Sequence, residues 1–181
     1  NGFKIIGAHT DFPSFKVKPY GEILNEDKYL RLNTEVYGGP ILNTWMDRPL
    51  AIAGRIILEG ENPLQQSEKF ININKPLFII PNLAIHMNKN VNKGIELNSQ
   101  KDLLPLMTVE GENLREGILE DIIKKELKVD NKKILSYELS LYEFDKGTLM
   151  GLNNEFISSS RLDNLAMVHA GLKAILNSKI S

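Results

Sequence analysis

The residues with the clearest chemical potential lie in two stretches that are far apart in the chain. His9 and Asp11 follow an apolar segment, residues 3–8, and Asp163 lies at the start of a second apolar segment. Imidazole and carboxylate groups at the ends of secondary-structure elements are common ligands of zinc and of related divalent metals. Together the two stretches suggest a buried divalent metal site.

The spacing of His9 and Asp11 favours a supporting role for the carboxylate. Side chains two residues apart in an extended segment point to the same face, so Asp11 can lie beside the imidazole of His9. If the carboxylate holds one ring nitrogen, the other nitrogen is free to bind a metal. Two alternatives stay open: a structural His9, and an Asp11 that caps the turn before Pro13.

Asp163 also has two interpretations. As a metal ligand it would offer hard oxygen donors, and its two oxygens could bridge a pair of ions. As a structural group it would interact favourably with the positive end of a helix dipole. Asn164, the next residue, would either orient this carboxylate or satisfy buried backbone groups.

The composition excludes several classes of site and partner. The chain has 181 residues, a net charge of −1 and no cysteine. Disulfides, thiolate zinc sites and thiol catalysis are therefore absent, and the charge argues against a nucleic-acid partner. The longest apolar run, residues 77–80, is far too short to cross a membrane. We expect a cytoplasmic protein with no membrane partner.

The periodicity of apolar residues predicts an α/β protein with a β-rich middle part. Close spacing of short strands favours a small antiparallel barrel or sandwich there. An α/β domain interrupted by an inserted β-rich domain would produce this order of elements. The predicted strands are 3–8, 15–18, 29–36, 51–58, 70–73, 77–80 and 134–144; the helices are 114–127 and 162–176, the second capped by Ser159 or Ser160; and the loops are 88–98 and 147–154.

Four stretches, in this order, resemble the M18 family of metalloaminopeptidases, the aspartyl aminopeptidase and aminopeptidase I group. They are His9–Pro19, Tyr37–Leu50, Ile80–His86 and Ser160–Leu165. The resemblance implies a layered α/β zinc-peptidase catalytic domain interrupted by an inserted β-rich dimerisation domain. It implies three segments: 1–18 as the first catalytic segment, 19–148 as the inserted dimerisation or lid domain, and 149–181 as the resumed, incomplete catalytic domain.

The resemblance also implies a role for four residues and a cofactor, zinc, with two ions per full-length subunit. His9 matches a zinc ligand, Asp11 the catalytic carboxylate that supports it, and Asp163 the aspartate that bridges the ions. His86 matches a catalytic and substrate-binding histidine that reaches a neighbouring subunit's active site, with a zinc role as the alternative. The family's paired glutamates, one of them the general base, its next aspartate and its final histidine match no residue of this chain.

The activity implied by the resemblance is the removal of N-terminal residues from peptides by a water activated between two metals. A preference for acidic N-terminal residues is typical of one branch of the family. The implied partners are the peptide substrate and further copies of the chain, in a homo-oligomer built from dimers. Two other interpretations stay open: a catalytically incomplete assembly or binding module, and a monometallic hydrolase that borrows ligands from another subunit.

Overall fold

A computed structural model describes residues 2–62, 64–109 and 114–179 of the chain. The chain divides into two compact units. One unit is Ser14–Phe144, and the other combines Asn1–Pro13 with Asp145–Ser181. Compactness alone does not test the catalytic and dimerisation roles that the resemblance implies for segments 1–18, 19–148 and 149–181. These roles stay predictions.

Six strands form one antiparallel sheet in the Ser14–Phe144 unit. Its order is β4-β3-β6-β1-β2-β5. Just beyond β4, Ile79 and Leu106 exchange backbone hydrogen bonds of 3.1 and 2.7 Å. These bonds bring the end of β4 to β5, the other edge strand, and the sheet curls towards a barrel, one of the two architectures that the strand spacing favours. The strands are β1 (Ser14–Asn25), β2 (Tyr29–Tyr37), β3 (Leu50–Leu58), β4 (Ser67–Phe78), β5 (Leu106–Val109) and β6 (Ile134–Glu143).

Alternating apolar residues fill the inside of this sheet. Leu30 and Leu32 of β2 are fully buried, whereas Arg31 between them is only partly buried, as expected for a strand with one face on the core. Phe15 of β1 packs edge-to-face on Trp45, with ring centroids 4.9 Å apart. The one tryptophan of the chain is therefore part of the core.

Two strands are longer than predicted because each contains a register shift. β1 runs through Pro19, and its pairing with β2 shifts between Val17 and Glu22. β4 joins the strand predicted at 70–73 to the first two residues of the one predicted at 77–80, because extra residues in β4 are taken up where its pairing with β3 shifts. A bulge of this kind lets a strand continue past residues that interrupt the alternation. Ile79 and Ile80 form isolated bridges beyond the end of β4.

Helix α1 (Ile118–Leu127) begins four residues later than the predicted start at residue 114. Gly117, directly before it, adopts a left-handed conformation with φ of 91°. The Glu22 carboxylate of β1 accepts hydrogen bonds from the backbone N–H groups of Gly117 and Leu119, the latter at 2.8 Å. The first N–H groups of a helix lack partners within the helix, and a carboxylate also suits the dipole there. Glu22 thus fixes where α1 begins.

Replacing Glu22 by alanine is expected to lower the free energy of unfolding by about 1–2 kcal/mol, because two partly buried N–H groups lose their acceptor. Chemical denaturation followed by circular dichroism measures the change. Glu61→Ala, at an exposed position of the same unit, is the matched control. A loss for Glu22→Ala no larger than that of the control would contradict this explanation.

The other unit contains a hairpin and helix α2 (Leu162–Leu176). The helix has its predicted bounds, but its N-cap is Arg161, not Ser159 or Ser160, and Arg161 makes no side-chain cap. The loop predicted at 147–154 is wrong in part, because β7 (Thr148–Met150) pairs with β8 (Phe156–Ser158). Gly151, with φ of 101°, allows the tight turn after β7. Neither described α-helix is long and apolar enough to span a membrane.

The strand predicted at residues 3–8 is wrong for the described structure. A strand needs a neighbour for its ladder of hydrogen bonds, and no described strand pairs with this segment. Its apolar side chains are accordingly exposed, and Phe3 is 98% exposed. The layered sheet inferred for this part of the chain therefore stays a prediction.

Candidate metal site

His9 and Asp11 lie side by side, as their spacing predicts. Nδ1 of His9 is 3.0 Å from Oδ1 of Asp11. A carboxylate oxygen only accepts, so this contact places the ring hydrogen on Nδ1 and leaves the lone pair on Nε2. Metal-binding histidines commonly show this arrangement. The side chains are 67% and 61% exposed, so the pair is open to solvent within the described part of the chain.

The side chain of Asn164, near the start of α2, lies next to His9 and Asp11. Its Nδ2 donates a hydrogen bond of 2.7 Å to the backbone carbonyl of Asp11 and lies 2.9 Å from Nδ1 of His9. Asn164 thus contacts the backbone, but the carbonyl of the exposed Asp11 is not the buried backbone group that was predicted. Asp163, directly before it, is exposed, and its φ of −82° and ψ of 111° are not helical. The hydrogen bond from Asn164 to the Asp11 carbonyl thus joins two residues that are 153 positions apart in the chain.

Two further contacts hold the segment with His9 against α2. The guanidinium of Arg161 lies over the ring of Phe12, 5.4 Å from its centroid. Near the middle of α2, a Cβ built on Gly171 would lie 3.0 Å from Cγ2 of Ile6. The absence of a side chain at Gly171 therefore lets Ile6 approach the helix closely.

His86 belongs to the other unit, where it lies in an exposed turn after β4. Oδ1 of Asp47 accepts a 2.9 Å hydrogen bond from the backbone N–H of Asn82, which begins the stretch leading to His86. The N–H of Asp47 donates to the carbonyl of Ile80 at 2.8 Å. Sequence reasoning did not foresee this support, because Asp47 and Asn82 are 35 residues apart and no local pattern links them.

The residues present fit part of a zinc site. Nε2 of His9 and the carboxylate of Asp163 are donor types that zinc accepts. In residues 2–62, 64–109 and 114–179, no group of three or more His, Cys, Asp or Glu side chains could hold a metal. Zinc sites in proteins use about three or four protein ligands for each ion. The unit that contains His9 and Asp163 thus offers these two candidate ligands among its described residues and not a complete set.

In the full-length protein, Asp11→Ala is expected to weaken zinc binding about 10–100-fold, because Nδ1–H of His9 loses its acceptor. Competition with a chelator of known affinity measures the change. Asp145→Ala, at an exposed position of the same unit, is the matched control and should leave the affinity unchanged. Equal affinities of the two variants would show that Asp11 does not support a ligand.

A comparison with known proteins decides the family. The family model described as Aminopeptidase I zinc metalloprotease (M18) matches residues 1–181. The chain belongs to the M18 family. A probable M18 family aminopeptidase 2 from Clostridium novyi (strain NT) is 56% identical over 182 residues, which are 100% of this chain and 42% of that relative. The chain therefore spans less than half the length of this M18 relative.

Solved structures agree with the M18 assignment at the level of the fold. The structure of Chaetomium thermophilum mApe1 has a TM-score of 0.82 and 26% identity, and the match covers 96% of this chain and 41% of that chain. The S. cerevisiae mApe1 dodecamer has a TM-score of 0.68 and 21% identity, over 93% of this chain and 37% of that chain. The sheet-rich unit and the two helices described above are thus part of a known fold.

Proposed function

We propose that this chain is part of a zinc-dependent aminopeptidase that removes N-terminal residues from peptides. The match of all 181 residues to the M18 family model carries the proposal. The contact between His9 and Asp11 supports it, because it leaves one imidazole nitrogen available to a metal. The chain covers 42% of its C. novyi relative, so we assign the remaining ligands and the general base to sequence outside these 181 residues.

Three residues of this chain have proposed roles at the zinc ions. His9 would hold zinc through Nε2, and Asp11 would keep the ring hydrogen on Nδ1 and restrain the ring. Asp163 would bridge two ions through its two oxygens. Zinc, when bound, supplies Lewis-acid polarisation of the scissile carbonyl and an activated water. The exposure of His9, Asp11 and Asp163 leaves room for the ligands that the described residues do not provide.

The proposed substrate is a peptide with a free N-terminal amino group, and an acidic first residue is the preference to test first. The proposed partner is a further copy of the protein, in a homo-oligomer built from dimers, in which His86 contacts the substrate bound to a neighbouring subunit. The exposed turn around His86 supports this, because a neighbouring molecule can reach the side chain. The comparisons give no support to a catalytically incomplete assembly or binding module.

An assay of the full-length protein tests the proposal. Peptides that differ only in their first residue, with Asp, Glu or Leu, are compared with the same peptides carrying an acetylated N-terminus. We expect release of the first residue from the free peptides only, loss of activity after chelation, and recovery when zinc is added. Full activity after exhaustive chelation, or equal cleavage of the acetylated peptides, would overturn it.

A further inference from the structure

We propose that Asn164 is a positioning residue for the metal site, because its side-chain amide holds the His9–Asp11 segment against the start of α2, next to Asp163. This inference rests on the proposed zinc-dependent function. It gives Asn164 a more specific role than the two considered from the sequence, because its amide links the two stretches of the proposed metal site. Three features of the unit that contains both stretches support this role of Asn164.

The first feature is how few backbone interactions hold the segment with His9. Residues 2–13 form no helix and no strand in the described structure. Their contacts with the rest of the unit include the Ile6–Gly171 approach, the Phe12–Arg161 stacking and a hydrogen bond from Nζ of Lys4 to the carbonyl of Lys179. Asn164 donates directly to the backbone of this segment, at 2.7 Å from the Asp11 carbonyl. It is therefore well placed to set the position of His9 and Asp11.

The second feature is the competition for Nδ1 of His9. Oδ1 of Asp11 lies 3.0 Å from this nitrogen and Nδ2 of Asn164 lies 2.9 Å from it. A carboxylate accepts only and an amide NH₂ donates only, so Nδ1 cannot bond both at once. The charged carboxylate makes the stronger bond. Nδ1 therefore donates to Asp11, and the amide hydrogen of Asn164 is used on the Asp11 carbonyl.

The third feature is the position of Asn164 in the chain. It directly follows Asp163, the proposed bridging ligand, and it is half-buried while Asp163 is exposed. A restraint on Asn164 therefore acts within one residue of Asp163, while its amide bonds to the backbone two residues after His9. One hydrogen bond can thus restrain the spacing between the two stretches that carry His9 and Asp163, on which a shared metal site depends. Supporting residues of this kind typically change metal affinity about 10–100-fold when they are replaced.

Asn164→Leu in the full-length protein tests the proposal, because leucine has a similar size and no donor. Zinc affinity is measured by competition with a chelator, and the melting temperature of the metal-free protein is measured alongside. We expect zinc affinity to fall about 10–100-fold while the metal-free melting temperature stays close to that of the wild type. A change in zinc affinity of about twofold or less, much smaller than this 10–100-fold change, would overturn the proposal.

Asn177→Ala, at the other end of the same helix, is the matched control for a general effect on α2 and should leave zinc affinity unchanged. If Asn164→Leu does not fold, Asn164→Ala is measured in the same way. Zinc binding by the wild-type protein separates a failure of the proposed function from a failure of the positioning role. A wild-type protein that binds no zinc would overturn the proposed function, whereas normal zinc binding by the folded Asn164 variant would overturn only the positioning role.

A structure of the zinc-loaded wild type provides a test that needs no variant. We expect the side-chain amide of Asn164 to remain within hydrogen-bonding distance of the Asp11 carbonyl while zinc is bound to His9. An Asn164 amide turned away from Asp11 in the zinc-loaded protein would overturn the proposal, because the His9–Asp11 segment would then be held by other groups.

Discussion

Asp163→Asn is expected to lower kcat of the full-length protein by about 10³-fold or more, because the loss of several kcal/mol of charge stabilisation at a metal corresponds to that factor. Asparagine keeps the size of the side chain but removes its charge, and it offers one oxygen donor in place of two. A bridge between two zinc ions would therefore be lost. Zinc per subunit, measured by elemental analysis, and kcat on a free peptide record the effect.

The matched control for this substitution is Asp145→Asn, which removes the same charge at an exposed position of the same unit. It should leave both the zinc content and kcat unchanged. A nearly unchanged melting temperature of metal-free Asp163→Asn protein would show that the fold is intact, since Asp163 is exposed. Two zinc ions per subunit together with full activity in Asp163→Asn would remove Asp163 from the site.

His86→Ala is expected to lower kcat about 10²-fold, a typical result of removing one polar contact to the reacting group, with no change in zinc content. The reason is the position of His86 in an exposed turn of the β-rich unit, whereas the two proposed ligands His9 and Asp163 belong to the other unit. Its exposure instead suits a contact with substrate. Steady-state kinetics and elemental analysis on the same preparation separate these two roles.

His169→Ala is the control for His86→Ala, because His169 is exposed on α2 and has no proposed catalytic role. A loss of zinc in His86→Ala would favour the alternative zinc role over the substrate role. Unchanged kcat and zinc content would show that His86 has neither. The hydrogen bond from Asn82 to Asp47, which supports the stretch leading to His86, does not involve the His86 side chain. The kinetic effect of His86→Ala should therefore appear without a change in the stability of the β-rich unit.

Much of the β-rich unit could be predicted from local pattern. β2, β3 and β6 alternate or are strongly apolar, and α2 has a continuous apolar face, so their bounds are predicted within one residue. Register shifts in β1 and β4 depend on the partner strand, which local pattern does not contain. The start of α1 depends on Glu22, a residue from β1 that is 95 positions away from Gly117.

The candidate site, like the fold, depends on contacts between residues close in sequence and on contacts between residues far apart in it. The His9–Asp11 contact follows from a spacing of two residues, and the structure agrees with it at 3.0 Å. The contact of Asn164 with Asp11 joins residues 153 positions apart, and neither stretch alone predicts it. The roles of His9, Asp163 and His86 at zinc or substrate stay predictions, because they depend on ligands and partners beyond the described residues.

A crystal structure of the zinc-loaded full-length protein, with anomalous scattering recorded on both sides of the zinc absorption edge, tests the ligand assignment directly. We expect two zinc peaks, with Nε2 of His9 and an oxygen of Asp163 about 2.0–2.2 Å from zinc. We also expect Oδ1 of Asp11 to remain bonded to Nδ1 of His9. Zinc peaks that lie away from both His9 and Asp163 would contradict the assignment and the mechanism proposed from it.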